Sequence, residues 1–199
     1  MKSKFKTFSI IVIIITAFSF TVQYEIGNCY LSFKKQDKLT AASPDRLPET
    51  AEKTRTVNTE KGEVEISCID GYRILYNNEK KAPFVNLKVE LSAKDSYEKD
   101  QKSLIDNLTY LNSHSANMET KDLIELNFNG YKISGLSRSS IEKGSTLGTF
   151  VMFPGKGITV YFYFNNLTPE YRNFESVEDY KKQRDKFIEE YTKYLITCK

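Results

Sequence analysis

The chain contains no tryptophan, a single histidine (His114), three cysteines and five prolines. One histidine rules out metal sites and mechanisms built on paired imidazoles. The sequence has no GxSxG, no P-loop and no dinucleotide fingerprint, and no CxxC or Cys/His spacing points to a metal. Nothing in it calls for a cofactor. Basic clustering is missing as well. The net charge is +3, and Lys2, Lys4 and Lys6 account for all of it, so the remainder is balanced. Nucleic-acid binding needs a concentrated basic surface to displace counterions, and none is present.

Acidic residues are absent before Glu25, and the N-terminus carries the strongest signal in the chain. The three lysines precede the apolar run Phe8–Val22, which is softened by Thr and Ser. A charged leader before an apolar stretch of about 7–15 residues is the pattern of a secretory signal. Ala17-Phe18-Ser19 places small residues for cleavage after Ser19. A retained membrane anchor is the competing reading, although the run is shorter than the roughly 20 residues of a comfortable span. Residues 1–24 are therefore assigned as signal peptide or N-terminal anchor. In both cases the lysines stay cytoplasmic and the rest of the chain is extracytoplasmic, in the envelope or secreted. "QYEIGNC" puts polar residues before Cys29 and matches a lipoprotein signal poorly.

Cys29, Cys68 and Cys198 permit at most one intrachain disulfide, and Cys68–Cys198 is the favoured pair because both lie in the expected folded domain. Buried, inert thiols are the alternative. Residues 25–61 read as a flexible polar linker. Lys34–Glu60 is charged, holds Pro44 and Pro48, and has few large apolar residues to offset ordering entropy. The domain is then 62–199.

Within it, "EVEISCIDGYRILY" suggests a hairpin turning at Asp70-Gly71, and "FVNLKVEL" alternates as a strand with a wet face of Asn86, Lys88 and Glu90. Asp95 and Glu98 suggest a capping box before a helix with the stripe Tyr97, Leu104, Ile105, Leu108 and Leu111. A hairpin turns at Asn129-Gly130. Ser176 caps a last helix whose stripe is Val177, Tyr180, Phe187, Ile188, Tyr191 and Leu195. The prediction is an α+β fold: a mostly antiparallel sheet of about seven strands covered by two helices, an α/β/α sandwich.

"GTFVMFPGKGITVYFYF" (Gly148–Phe164) forms the central hairpin. A four-residue loop Pro154–Gly157 would set Phe153 opposite Ile158 and gather Leu147, Thr149, Val151 and Phe153 with Ile158, Val160, Phe162 and Phe164. The other face then joins Phe150 and Met152 to Tyr161 and Tyr163. A sheet apolar on both faces is expected to be covered on both, one helix to each; a Tyr-lined groove at Tyr161 and Tyr163 is the alternative.

With "DGYRILY" as opening strand, this hairpin at the centre and a closing helix, 62–199 resembles the Mog1/PsbP-like α/β/α sandwich in element order. That resemblance implies an exported or membrane-peripheral partner protein, often without catalysis, and assigns no site residues. Among single residues, Arg184 interrupts the apolar stripe of the last helix, as a buried or edge ion pair with a carboxylate, a snorkelling stem, or an anion or carboxylate clamp. Arg138 opens the loop "RSSIEKGS", either solvated or contacting a ligand. His114 fits a helix C-terminus. Asn107 and Asn166 match glycosylation sequons. The functional expectation is a non-catalytic, membrane-tethered or released binding domain of the cell envelope, with an envelope protein or small ligand as partner. The alternatives are a small hydrolase or a small-molecule carrier.

Overall fold

The computed structural model describes residues 23–32, 38–47, 53–114, 121–142, 144–193 and 196–198. Residues 1–22, with Ser19 and the apolar run, lie outside them, as does Leu195. No helix among the described residues is long and apolar enough to cross a membrane.

The fold is α+β, with every strand pair antiparallel. Twelve strands are described: β1 (Gln23–Ile26), β2 (Cys29–Ser32), β3 (Thr40–Ala41), β4 (Asp45–Arg46), β5 (Lys53–Thr59), β6 (Gly62–Asn77), β7 (Pro83–Ser92), β8 (Lys121–Phe128), β9 (Tyr131–Arg138), β10 (Thr146–Gly155), β11 (Ile158–Asn165) and β12 (Ile196–Cys198). The helices are α1 (Tyr97–Ser113) and α2 (Val177–Thr192). The main sheet runs β3-β6-β7-β11-β10-β9-β8, with β4 and β5 also on the edge of β6; β1-β2-β12 form a second, small sheet.

Two expectations fail at β6. Asp70-Gly71 is not a turn: neither residue has positive φ, and the strand passes through both for sixteen residues. A register shift between Cys68 and Asp70 marks a bulge instead, which bends the strand. Glycine is needed here for close approach, since a Cβ at Gly71 would lie 2.6 Å from the Val89 carbonyl oxygen. The second failure is the linker. Among the described residues, 25–61 contains most of β1–β2 and all of β3, β4 and β5. Edge strands need few large apolar residues, because the ladder supplies their backbone hydrogen bonds. β5 runs antiparallel to β6 from Lys53–Cys68 to Thr59–Gly62, turning Arg55 and Val57 inward and leaving Thr54, Thr56 and Asn58 exposed.

The β1–β2 hairpin buries Ile26, Cys29 and Leu31 in the main core. Cys29 is disulfide-bonded, and the β2–β12 register sets Cys198 directly opposite it. Cys68 is a buried free thiol, so the expected Cys68–Cys198 bridge is not formed. The physical reason is topological: β12 joins β2 in the small sheet, away from Cys68 in β6.

The central hairpin is offset by one residue from expectation. Lys156 and Gly157, with φ of 55° and 78°, make a two-residue turn. Such a turn is favoured in hairpins because its twist matches that of the strands. Gly155, not Phe153, therefore faces Ile158. A bulge between Met152 and Gly155 restores the ladder as Met152–Val160, Val151–Tyr161 and Phe150–Phe162. Because side chains alternate, this offset moves a whole strand's set to the other face. Phe150 and Met152 join Val160, Phe162 and Phe164, while Val151 joins Tyr161 and Tyr163. Both faces are covered, as expected.

Against the first face lies α2, burying Tyr180, Phe187, Ile188 and Tyr191 in the main core. Ser176 accepts a hydrogen bond from the Asp179 N–H at 3.1 Å, the cap read from the sequence. Leu104 and Leu108 of α1 sit on the second face with Ile66, Leu136, Val151 and Tyr161. The capping box at Asp95 does not form. Ser96 occupies the N-cap, and its hydroxyl donates to Asp100 Oδ2 at 2.8 Å.

Candidate functional site

The α1 side of the sheet holds a polar cluster inside an otherwise apolar layer. Ladder register aligns Glu90 with Thr159, Lys88 with Tyr161 and Asn86 with Tyr163 across β7 and β11. Arg55 comes from β5, three strands from β11 in sheet order. In a flat sheet three strand spacings would separate them by about 14 Å. The Arg55 guanidinium nonetheless donates through Nη2 to the Tyr161 hydroxyl and through Nη1 to Glu90 Oε1, the latter at 2.7 Å. A bulge bends its strand, and β5 pairs with β6 immediately before this one, at Lys53–Cys68.

Glu90 is 3% exposed and serves two cations, Arg55 and the ammonium of Lys88. Both cations also lie over the Tyr161 ring, Arg55 at 5.0 Å and Lys88 at 5.7 Å from its centroid. Such placement draws on the negative face of the aromatic ring. Tyr161 and Tyr163 stack with centroids 6.1 Å apart. Burial opposes ionisation of Glu90, but the Arg55 hydrogen bond and the Arg55 and Lys88 charges overcome it and hold its pKa below the ordinary carboxylate value. Burial, reinforced by the Glu90 charge, pushes the Cys68 thiol up to about 11. The Tyr161 hydroxyl rises for the same two reasons, and Tyr163 rises chiefly through burial.

The four side chains singled out in the sequence do not form one site. Tyr161 and Tyr163 share this face. Arg184 lies on the opposite one, 4% exposed. It donates to Asp185 Oδ1 at 2.7 Å and to Ser137 Oγ at 2.9 Å, with its Cζ 5.3 Å from the centre of the Phe150 ring. The Arg184 side chain is buried and its Asp185 partner is 39% exposed, so the pair sits at the edge of the core. Arg138 ends β9 and packs against the β9–β10 loop, where a Cβ at Gly144 would lie 2.5 Å from its guanidinium. His114 is the exposed C-cap of α1, stacked on Tyr110.

Sequence reasoning misses Arg55, Lys88 and Glu90. Arg55 falls in the expected linker, and Lys88 and Glu90 look like an ordinary wet face. The one usable signal is pairwise. Polar Asn86, Lys88 and Glu90 alternate at the same period as Thr159, Tyr161 and Tyr163, which matches two strands paired through a shared polar row.

Beside this cluster, α1 and the β8–β9 hairpin enclose a cleft of about 720 Å³ whose apolar lining includes Ile105, Leu108, Leu123 and Phe153. Among the described residues, no group of three or more His, Cys, Asp or Glu is placed to hold a metal ion. Compared with known protein families, curated proteins and solved structures, the chain matches none.

Proposed function

We propose that this chain is an exported binding domain of the cell envelope that performs no chemistry of its own. The electrostatics of the α1-side cluster carry this reading. An acid–base or nucleophilic catalyst needs groups poised near the working pH. Here Glu90 is held ionised, while the Cys68 thiol and the Tyr161 hydroxyl are pushed upward, so every shifted group in the cluster moves away from neutrality. A carboxylate fixed between two cations over a tyrosine ring is suited to orienting and recognising a partner. The disulfide at Cys29 supports export, because such bonds persist in oxidising compartments.

The domain's first strand begins at Gln23, directly after the apolar run. With no long spacer between them, retention of the run would hold the domain against the membrane, and cleavage after Ser19 would release it. The test is crosslinking in cells with full-length tagged protein, followed by fractionation and intact mass of the bait. Recovery of a stoichiometric envelope protein with an oxidised bait supports the proposal. A bait found alone in the cytoplasmic fraction with Cys29 reduced overturns it.

A further inference from the structure

We infer that the free edge of β8 takes up an extended segment of a partner protein as an added antiparallel strand, apolar where it faces α1 and basic opposite Asp122. This rests on the binding-domain reading above and names the partner's chemistry. The main sheet ends differently on its two sides. At one end β3 and β4 are two-residue pieces, and α1 packs along β5, where Asn107 Nδ2 donates to the Asn58 carbonyl at 2.7 Å. At the other end β8 runs eight residues in unbroken register with β9 and contains no proline. Proteins usually blunt a sheet edge with short strands, bulges, prolines or charges, because its open backbone groups pair readily with another strand. Of these, the described side chains of β8 supply only two charges, Asp122 and Glu125.

The turn after β8 fixes which groups are open. Asn129 and Gly130, with φ of 52° and 83°, form a two-residue turn, so the flanking pair Phe128–Tyr131 is a hydrogen-bonded one. Such pairs alternate along an antiparallel ladder. Asp122, Ile124, Leu126 and Phe128 therefore bond β9, while the backbone groups of Leu123, Glu125 and Asn127 point outward. Among the described residues no other backbone group meets them. An added strand exchanges hydrogen bonds with these residues, and its side chains opposite Leu123 and Glu125 project on the α1 side. That is where the cleft of about 720 Å³ lies, with Leu123 and Glu125 in its lining beside Ile105, Leu108 and Phe153. Leu123 is 48% exposed. Glu125 is ion-paired with the Lys132 ammonium, also in the lining, so the cleft calls for apolar side chains and no counterion. Asp122 differs. It is exposed, alternates with Leu123 onto the other side of the sheet, and makes no ion pair among the described residues. A basic residue opposed to it on the added strand supplies the missing charge. A second copy of β8 does not provide one, because the positions of matching phase within the strand are Asp122, Ile124, Leu126 and Phe128.

The probe is the blocked peptide acetyl-Ser-Val-Thr-Val-Thr-Val-Lys-Ser-amide, added to the full chain while hydrogen exchange is followed at single backbone amides. In antiparallel register its valines oppose Leu123, Glu125 and Asn127, and its lysine opposes Asp122. In the free chain the amides of Ile124, Leu126 and Phe128 should be protected and those of Leu123, Glu125 and Asn127 should exchange fast. Saturating peptide should slow the second set by about tenfold or more. N-methylation of the valines, whose N–H groups face β8, should weaken binding by about tenfold or more. N-methylation of the threonines, whose N–H groups face solvent, should retain it, and this pair of peptides needs no protein variant. Glutamate in place of the peptide's lysine should weaken binding about two- to fivefold, and the exposed exchange Asp122→Lys should reverse that preference. Unchanged exchange at Leu123, Glu125 and Asn127, or equal binding of the two N-methylated peptides, overturns the inference. Protection of these amides without peptide, growing with protein concentration, also overturns it, because β8 then pairs with a second copy. A chain that recovers an envelope partner but ignores the peptide loses this inference alone. A reduced cytoplasmic bait that still binds the peptide loses the export proposal alone.

Discussion

The two faces of the main sheet are packed by different means. On the α2 side, Phe150, Phe162, Phe164, Tyr180, Phe187 and Tyr191 form a closed aromatic network. Phe162 meets Tyr191 edge to face at 5.5 Å and Phe164 meets Phe150 at 5.8 Å. On the α1 side, Ile66, Leu104, Leu108, Leu136 and Val151 pack beside an ion-paired cluster that includes Tyr161. Burial of apolar area is non-directional and scales with size, so the α2 face carries most of the stability. Ion pairs and hydrogen bonds add little net energy after desolvation, yet they fix geometry, so the α1 face supplies orientation.

The largest effects should come from the aromatic side. Phe162→Ala should cost about 3–5 kcal/mol, measured as a fall in the urea midpoint with a native-like slope. A loss below about 1 kcal/mol would show that this face does not dominate. Breaking the disulfide with Cys29→Ser should cost about 2–5 kcal/mol, because the bond closes nearly the whole chain and ties the terminal strands together.

On the other face, Arg55→Met leaves Glu90 buried with Lys88 as its remaining partner. The cost should sit at or below the low end of the about 3–5 kcal/mol typical of breaking a buried pair, since a third of the Arg55 side chain stays in solvent. The double variant Arg55→Met/Glu90→Met should recover much of that loss, whereas additive losses would mean that the pair is not coupled. Acid should separate the faces too. An unperturbed glutamate titrates at about 4.3. Glu90 has its folded pKa below the ordinary value, so its contribution is present above that pH and is lost as pH falls through the lower folded value. Arg55→Met should shrink this acid loss. At the alkaline end the sign reverses. Burial lifts Tyr180 to about 12, and Tyr76 and Tyr191 upward as well. Stability therefore falls as pH rises above the ordinary tyrosine value of about 10. Arg55→Met should leave that limb from the aromatic face unchanged.

The same contrast explains what can be read from sequence. Periodicity reports apolar burial, so α2, the aromatic hairpin and the two-sided coverage are legible from Phe162, Phe187 and their neighbours. Glu90 is not, because alternation sees polarity and misses that Arg55 reaches the same spot from β5. The Asp70-Gly71 turn fails for a related reason. Glycine at a bulge and glycine in a turn look alike until Val89 is seen packing against it. β5 is hidden because a Thr-rich edge strand takes its order from β6. The role of Cys29 is hidden in the same way, inside a stretch that reads as linker.

The smallest effect compares the two helix starts. At α2 the Ser176 hydroxyl accepts from the Asp179 N–H, satisfying one of the helix's free donors. Ser176→Ala should cost about 1 kcal/mol. Ser176→Asp should retain the cap and gain from the N-terminal dipole. At α1 the Ser96 hydroxyl faces the other way and donates to Asp100, a side chain 1% exposed whose Oδ1 has no partner. Ser96→Asp therefore cannot substitute: it replaces a donor with an acceptor beside a buried carboxylate and should destabilise. If both Ser→Asp exchanges were neutral in urea melts, the two starts would be alike, and the hydroxyl at Ser96 would not be holding Asp100.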